Sequence, residues 1–264
     1  MIAYLLDKFF IKKPKFRKFV TRTIYGDKQV LVDLFGAKFL LHTISENGYY
    51  RASKIAAHSS LFRDEFPVMI ALSNLIENDV TFVDIGANVG IYSSLFSRFK
   101  NLYQKFEIAA FEVHPETFCR LKLNAEIYGF NAFNVGVGSR HETVQFVGGA
   151  VSHVTTRVDF ANSYNISSTV FSAEIVPLSD FDFNNHLIIK IDVEGQELAV
   201  LEGAKIFFEQ GRVACVYLDG YGEKSCWEFL EHYGFYFLDG RTLMKADRDT
   251  FALLAVKQKI GRLQ

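Results

Sequence analysis

Cysteine, proline and long apolar runs are all scarce in this sequence of 264 residues. Its three cysteines, Cys119, Cys215 and Cys226, form no C-x-x-C pair, and an odd count provides no disulfide framework, so we expect a reducing compartment. No apolar run approaches the roughly 18 residues of a membrane span. The first residues lack both a basic n-region and a small-residue cleavage site, which argues against a signal peptide. These absences predict a cytoplasmic protein.

An excess of either charge is also missing, because 29 basic and 30 acidic residues leave a net charge of −1. This balance gives the whole protein no attraction to nucleic acid, so we expect no nucleic-acid partner. With 49% hydrophobic and 22% charged residues, the chain can bury a sizeable core. Its 27 phenylalanines and 12 tyrosines are scattered through strand-like runs, which places them in that core rather than on a stacking surface.

The first 22 residues depart from this balance, with seven basic residues against the single acid Asp7. The basic residues are Lys8, Lys12, Lys13, Lys15, Arg17, Lys18 and Arg22. One interpretation is an amphipathic helix that packs on the domain and leaves its lysines in solvent. The other is peripheral contact with the inner face of a membrane, in which aromatic side chains touch anionic lipid. These side chains are Phe9, Phe10, Phe16 and Phe19.

Two further patterns precede the first core strand. Residues 24–45 alternate in polarity around Gly36, which predicts a β-hairpin. Apolar residues at helical spacing over residues 61–78 predict a helix that leads into the first core strand. We therefore assign residues 1–60 to an N-terminal extension of helix and hairpin, and residues 61–264 to one domain.

From Val80 onward, buried strands alternate with helices, which is the pattern of a parallel sheet covered on both faces. The predicted strands are 80–85, 108–111, 132–137, 187–191 and 213–218, and residues 235–238 and 251–256 predict a terminal antiparallel pair. Pro115 and Gly129 begin and end one of the helices. Residues 142–178 predict an antiparallel insertion with a polar loop. The predicted fold class is α/β, a Rossmann-like, doubly wound and mostly parallel sheet.

Three of the buried strands end in a carboxylate: Asp84 ends the first, Glu112 the second and Asp192 the fourth. Carboxyl ends of parallel strands share one edge of the sheet, where α/β proteins bind ligands, so we expect the three acids to converge on one crevice. Buried charge costs several kcal/mol unless it is paired, so this gathering favours a functional site. For Asp192 alone, an N-cap on the helix that follows is the alternative.

The turn after the first strand reads Asp84-x-Gly86-x-Asn88-x-Gly90, which differs from the G-x-G-x-x-G that holds a pyrophosphate. An acid at this strand end suits a cationic or zwitterionic group. Glu112 can accept hydrogen bonds from both hydroxyls of a ribose. S-adenosylmethionine carries a ribose, an amino acid and a sulfonium, so these features favour it as the cofactor. A nicotinamide-dependent oxidoreductase, which also needs the ribose acid, stays the alternative.

By the same residues the chain resembles the FkbM family of S-adenosylmethionine-dependent methyltransferases. The matching elements are residues 83–90, 111–115, 134–139, 189–197 and 200–204, and the resemblance covers about residues 78–240. The Lys-Ile-Asp-Val-Glu-Gly-x-Glu element that begins at Lys190 is the most specific of them. Two departures are Val113 in place of the usual Pro after the ribose acid, and Asp219 where members often have Glu.

The resemblance implies methyl transfer to a hydroxyl oxygen, on a small-molecule or glycan acceptor such as a sugar, a cell-surface glycan or a natural product. It implies that Asp84, Gly86 and Gly90 line the methionine end of the cofactor, that Glu112 holds the ribose and that the loop at Val137 borders the adenine. The implied cofactor-binding residues are Asp84, Gly86, Asn88, Gly90, Glu112 and Val137. Asp192 and Glu194 would face the transferred methyl and the acceptor.

A sugar hydroxyl is a poor nucleophile, so a base has to take its proton as the new bond forms. We expect Asp192 or Glu194 in this role, with His114 and His153 as secondary candidates. We expect no metal, because no cluster of His and Asp has ligand spacing. Lys190 is expected to pair with an acid. A non-catalytic, membrane-associated protein of the same fold is the remaining alternative.

Overall fold

The structure of the chain is a computed structural model. It describes residues 14–54, 64–149, 155–157, 168–220 and 224–257. His153, Phe9 and Phe10, which were singled out in the sequence, lie outside the described residues.

The N-terminal part of the described chain is a helix, a hairpin and a second helix. Helix α1 is Pro14–Tyr25, strands β1 and β2 are Gln29–Leu34 and Ala37–His42, and helix α2 is Asn47–Lys54. β1 and β2 pair antiparallel, which confirms the predicted hairpin.

Eleven strands, six α-helices and two short 3-10 helices, Ser97–Asn101 and Leu178–Asp180, follow in the described part of the chain. The strands are β3 (Val80–Ile85), β4 (Glu107–Phe111), β5 (Asn131–Phe133), β6 (Gly136–Val137), β7 (Glu142–Gly149), β8 (Thr155–Arg157), β9 (Ser168–Val176), β10 (His186–Ile191), β11 (Val213–Leu218), β12 (Tyr236–Asp239) and β13 (Leu253–Val256). The α-helices are α3 (Phe66–Ser73), α4 (Ile91–Phe96), α5 (Pro115–Tyr128), α6 (Glu197–Gly203), α7 (Lys205–Glu209) and α8 (Lys224–His232).

The main sheet has seven strands in the order β12, β13, β11, β10, β3, β4, β5. β11, β10, β3, β4 and β5 run parallel, and β13 is antiparallel to both of its neighbours. This confirms the α/β fold class and the terminal antiparallel pair.

Helices cover both faces of this sheet. Alternate residues of a strand point to opposite faces, and the central strands have buried residues at nearly every position, so both faces have to be covered. Phe82 of β3 belongs to a hydrophobic cluster with residues of α3, α4 and α5, whereas Val83 belongs to a cluster with residues of α6, α7 and α8. The carboxyl edge of the sheet lies between these layers and is the part of the fold that positions the site.

The N-terminal extension shares the first of these clusters. Phe39 and Leu41 of β2 are fully buried in it with Leu121 of α5. An ion pair also joins the two parts, because Arg120 Nη2 lies 2.7 Å from Glu46 Oε1 and both side chains are buried. The division of the chain near residue 60 stays a prediction.

The third predicted strand, 132–137, is wrong as a single strand. β5 ends in the main sheet at Phe133, and β6 pairs with β9 in a second sheet of order β6, β9, β7, β8. Asn134 causes the break, because its side-chain amide donates to Glu112 O at 2.8 Å and turns the chain out of the main sheet. The predicted antiparallel insertion is confirmed, since β7 pairs antiparallel with β9.

The predicted helix over 61–78 is shorter than expected at its C-terminal end, where α3 stops at Ser73. Leu75 N and Ile76 N donate to residues three positions back rather than four, which tightens the chain into a turn ahead of β3. Across all described residues, no helix is long and apolar enough to cross a membrane.

Candidate functional site

The glycine turn after β3 brings the ends of three strands into contact. Gly86 has a φ of +74°, and a Cβ at this position would lie 2.0 Å from the backbone O of Asp192. Gly86 N and Ala87 N both donate to Phe111 O, at 3.0 and 2.9 Å. Glycine is therefore required here both for the left-handed backbone and for the approach of β10.

Gly90, the last glycine of the turn, packs helices rather than lining a cavity. It is the N-cap of α4 with a φ of +79°, and a Cβ there would lie 2.6 Å from the side chain of Leu121 in α5. The structure thus places this predicted cofactor residue between α4 and α5.

The three predicted acids lie along one edge of the sheet, but their environments differ. Parallel register aligns Asp84 with Lys190, and Glu112 and Asp192 directly follow β4 and β10. Asp84 is only 1% exposed, whereas the side chain of Asp192 is 43% exposed. The edge therefore combines one buried aspartate with acids that reach a cavity.

Lys190 links the buried aspartate to the exposed one. Its Nζ lies 3.4 Å from Asp84 Oδ1 and 3.4 Å from Asp192 Oδ2, and Asp84 Oδ2 accepts a hydrogen bond of 2.7 Å from Ser93 Oγ. Burial alone would lower the pKa of Lys190, but the carboxylates of Asp192 and then Asp84 outweigh it and raise that pKa above its usual range. This confirms the expected pairing of Lys190, and it fixes the Asp192 side chain over the strand end.

The interpretation of Asp192 as a helix N-cap is wrong, because Gln196 occupies the N-cap position of α6. His114, in contrast, does cap a helix. It is the N-cap of α5, and its imidazole accepts a hydrogen bond of 3.5 Å from Thr117 N. The ring also lies edge-on to Phe171 at 4.9 Å between centroids, so local packing accounts for this histidine.

Glu112 is held by two backbone N–H groups. Its Oε1 accepts from His114 N at 2.8 Å and its Oε2 accepts from Asn88 N at 3.0 Å. Burial raises the pKa of Glu112 to about 7, and these two hydrogen bonds oppose the rise. Each carboxylate oxygen has a second lone pair, so the group can still accept hydrogen bonds from a ligand.

A cavity opens beside Glu112 at the edge of the sheet, and we call it the first cavity. It is lined by Ile85, Gly86, Asn88, Phe111, Glu112, Val113, Val135, Gly136, Val137, Gly138, Glu142, Phe146, Ile175, Asp192, Val193, Glu194, Gln196 and Ala199. It brings together six of the residues singled out in the sequence, and these are Gly86, Asn88, Glu112, Val137, Asp192 and Glu194. Asp84 and Gly90 are not among its lining residues.

The lining of the first cavity fits S-adenosylmethionine. Asn88 Oδ1 is buried and has no hydrogen-bond partner among the described residues, so an acceptor is in place for a ligand donor. Glu112 offers a carboxylate to a ribose, and Val137 and Ile175 supply apolar surface of the kind that a base packs against. Polar groups at one part of the lining and apolar groups at another match the two halves of a nucleoside.

A second cavity of about 370 Å³ lies on the other side of Asp192. Its lining is rich in carboxyl groups and consists of Asp64, Glu65, Asp192, Val193, Glu194, Gly195, Glu197, Asp219, Gly220, Arg241 and Phe251. Asp192, Val193 and Glu194 line both cavities. This volume is in the range of pockets that take small molecules, so a ligand in each cavity would meet the other at this shared wall.

Two acids of the second cavity hold their protons more tightly than usual. Burial, followed by the nearby Asp219 carboxylate, raises the pKa of Glu65 to about 8. Burial, followed by Asp192, raises the pKa of Asp219. At neutral pH Glu65 is therefore mostly protonated and can donate a hydrogen bond, while Asp192 beside it is paired with Lys190.

Sequence reasoning missed Glu65, Arg241 and Phe251. Glu65 is the residue before α3, where Pro67 in the first turn signals a helix start but not where that helix packs. The Arg241 guanidinium lies 4.5 Å from the centroid of the Phe251 ring. These two residues stand in the segments around β12 and β13 and have no local motif, so no sequence signal was available for them.

A family profile described as the methyltransferase FkbM domain matches residues 84–244. A curated relative, the hexuronic acid methyltransferase AglP of Haloferax volcanii, is 26% identical over 172 residues. That match covers 64% of this chain and 64% of the relative, so the chain spans slightly less than two thirds of the relative's length.

Two solved structures with similarity to this chain are named as methyltransferases. The FkbM methyltransferase of Methylobacillus flagellatus has 17% identity and a TM-score of 0.46, with 78% of this chain and 53% of that chain covered. A TehB-like S-adenosylmethionine-dependent methyltransferase of Corynebacterium glutamicum has 13% identity and a TM-score of 0.43, with 80% and 96% covered.

Proposed function

The chain belongs to the FkbM methyltransferase family, whose cofactor is S-adenosylmethionine, and we propose that it methylates a hydroxyl oxygen of a sugar or of a glycan. The observation that carries this proposal is the pair of cavities that meet at Asp192 and Glu194. A nicotinamide-dependent oxidoreductase is not favoured, because the family is one of methyltransferases.

In this proposal the first cavity holds the cofactor, which supplies a methyl group already activated on a sulfonium. Glu112 accepts hydrogen bonds from the ribose, Asn88 Oδ1 accepts one from a polar group, and Val137 packs against the adenine. The buried pair of Asp84 and Lys190 lies behind this surface and keeps Asp192 in place. What the protein contributes is mainly positioning, because the reactivity comes with the cofactor.

Cofactor affinity is expected to rise with pH and to level off above about pH 7, where Glu112 is ionised. A protonated Glu112 has lost the charge that makes it a strong acceptor for the ribose hydroxyls, so affinity falls about tenfold for each pH unit below its pKa. Calorimetric titration with S-adenosylmethionine from about pH 5.5 to about pH 8.5 measures this profile.

Glu112→Gln is the matched control, because it keeps the size of the side chain and removes the titration. We expect this variant to bind about 10- to 100-fold more weakly at pH 8 than the wild-type protein, as for a lost hydrogen bond to a charged group. Its affinity should also be nearly flat over the same range. A wild-type profile that is flat, or one that persists in Glu112→Gln, would assign the pH dependence to another group.

The acceptor is proposed to lie in the second cavity, with its hydroxyl at the wall formed by Asp192 and Glu194. A carboxylate at this wall can take the hydroxyl proton as the new C–O bond forms. Protonated Glu65 and the guanidinium of Arg241 can donate to other sugar hydroxyls, and the exposed ring of Phe251 offers an apolar face to the C–H groups of a sugar ring. Hydroxyl donors, hydroxyl acceptors and an aromatic face together suit a carbohydrate.

The charge of the second cavity favours a neutral or amino sugar over a uronate. Its lining has six carboxyl groups, of which Glu65 is mostly protonated at neutral pH, and one guanidinium among the described residues. A carboxylate on the acceptor would be repelled by Asp192 and Glu194 at close range, at a cost of about 1–4 kcal/mol per contact. The name of the relative, a hexuronic acid methyltransferase, and the charges of this cavity therefore favour different acceptors.

The test is to incubate the protein with S-adenosylmethionine and matched methyl glycosides of a hexose, an aminohexose and a hexuronic acid. Mass spectrometry detects the added methyl group, and NMR distinguishes an ether from an ester. We expect ether formation, with the neutral and amino sugars preferred at least about tenfold over the uronate. Preference for the uronate would overturn the acceptor class, and no transfer to any glycoside or glycan by folded, cofactor-binding protein would overturn sugar O-methylation.

A further inference from the structure

Helix α1 presents an exposed face that combines aromatic and basic side chains. Phe16 is 50% exposed and Phe19 is 63% exposed. Lys15 and Arg22 are also exposed. Residues 15, 16, 19 and 22 lie on one side of the helix, because successive members of this set are one or three positions apart. Two large apolar side chains on one solvated helix face are a feature of interaction surfaces.

The opposite side of α1 is attached to the body of the protein. Thr21 is buried and accepts a hydrogen bond of 2.9 Å from Asn47 Nδ2, and Tyr25 lies edge-on to Tyr50 at 5.4 Å between centroids. The helix is therefore held in one orientation, and the face with Phe16 and Phe19 points away from the hydrophobic core.

The positive charge of this segment favours a negatively charged binding partner for the exposed face of α1. From Lys8 to Gly26 the sequence has seven basic residues and no acidic one, and the next acid along the chain, Asp27, pairs with Arg22 at 2.7 Å. A second copy of the same face would bring like charges together. Basic residues that flank exposed phenylalanines match an anionic lipid surface, where the rings enter the boundary of the acyl chains and the cations meet the headgroups.

We propose that the exposed face of α1, formed by Lys15, Phe16, Phe19 and Arg22, docks the protein on an anionic membrane surface. The occupant is a bilayer that contains anionic phospholipid. Docking of this kind is peripheral and depends on both the charges and the rings, because each contributes part of the affinity. It does not depend on the proposed methyl transfer, so either proposal can fail without the other.

Co-sedimentation of the full chain with vesicles tests the proposal. We expect binding to phosphatidylcholine vesicles that contain about 30% phosphatidylglycerol, little binding to pure phosphatidylcholine, and loss of binding at about 0.5 M salt, where screening is strong. Lys15→Gln with Arg22→Gln should weaken the partition about 30-fold, because each basic residue near an anionic surface contributes about fivefold. Phe16→Ala with Phe19→Ala should weaken it about tenfold.

Matched controls separate this face from general surface properties. Lys205→Gln with Lys224→Gln removes two exposed lysines that are also paired with acids, and Leu102→Ala with Met244→Ala removes two exposed apolar side chains. Both control pairs should bind vesicles like the wild type. All variants should keep the wild-type unfolding temperature and affinity for S-adenosylmethionine, which excludes misfolding as the cause.

Three results would overturn the proposal. The first is no sedimentation with anionic vesicles. The second is equal losses in the α1 variants and the control variants. The third is binding of a single-stranded or double-stranded oligonucleotide that competes with the vesicles and is stronger at the same salt concentration, which would assign the face to nucleic acid.

Discussion

Gly86→Ala is expected to destabilise the protein by about 3–5 kcal/mol and to weaken cofactor binding at least tenfold. The new Cβ would lie 2.0 Å from Asp192 O, which is a backbone atom and cannot move aside as a side chain does. The substitution therefore adds an overpacking cost of about 1–3 kcal/mol to the strain of a left-handed alanine, which is of similar size. Moving Asp192 away from the end of β3 also displaces the wall shared by the two cavities.

Gly234→Ala is the matched control, because Gly234 has the same φ of +74° and nothing within 4 Å of its Cβ position. It should cost only the backbone strain, about 1–2 kcal/mol. Urea unfolding gives the free energy of both variants, and calorimetry gives their affinity for S-adenosylmethionine. If Gly86→Ala is no worse than Gly234→Ala by either measure, the close contact between β3 and β10 does not constrain the site.

Asp192→Asn is expected to lower the rate of methyl transfer by about 100- to 10,000-fold, the usual contribution of a positioned general base. An amide of the same shape keeps contact with both cavities but cannot take a proton from the acceptor. Lys190 also keeps one partner, because Asp84 Oδ1 remains 3.4 Å from its Nζ. We therefore expect a folded variant whose KM for S-adenosylmethionine changes less than its kcat.

Glu194→Gln is the comparison that assigns the base, because Glu194 lines the same two cavities two residues later. A large loss in Asp192→Asn with a small one in Glu194→Gln assigns the proton transfer to Asp192, and the reverse pattern assigns it to Glu194. Thermal unfolding of each variant controls for stability. Turnover that is normal in both would exclude this pair as the source of the base.

The carboxyl edge of the sheet shows which features of the site the local sequence pattern can predict and which it cannot. The buried runs ending at Asp84, Glu112 and Asp192 predict parallel strands whose ends meet, and the parallel register confirms that arrangement. The same pattern predicts one crevice for all three acids, and here the fold differs. Asp84 is buried against α4, where Ser93 and Lys190 contact it, because its side chain points to the face of β3 that α4 covers.

The division of residues 132–137 between two sheets is a second limit. Five of these six residues are apolar or small, which fits a single buried strand, and strand propensity does not say which sheet a strand joins. The position where the chain leaves the main sheet depends on Asn134. Its side-chain amide donates a hydrogen bond to the backbone O of Glu112, which directly follows β4, and the chain turns there. A partner 22 residues away in sequence is not visible in a local window.

By itself the sequence determined the order of strands and helices, the acids at the strand ends, the glycine turn and the basic N-terminal segment, because each depends on neighbouring residues and on the periodicity of one element. Tertiary structure alone decided that Asp192 and Glu194 stand between two cavities, that Glu65 and Arg241 line the second one, and that Phe16 and Phe19 are at least half exposed. These features depend on which elements pack face to face. That packing is set by the burial of whole surfaces across the fold, which no local pattern contains.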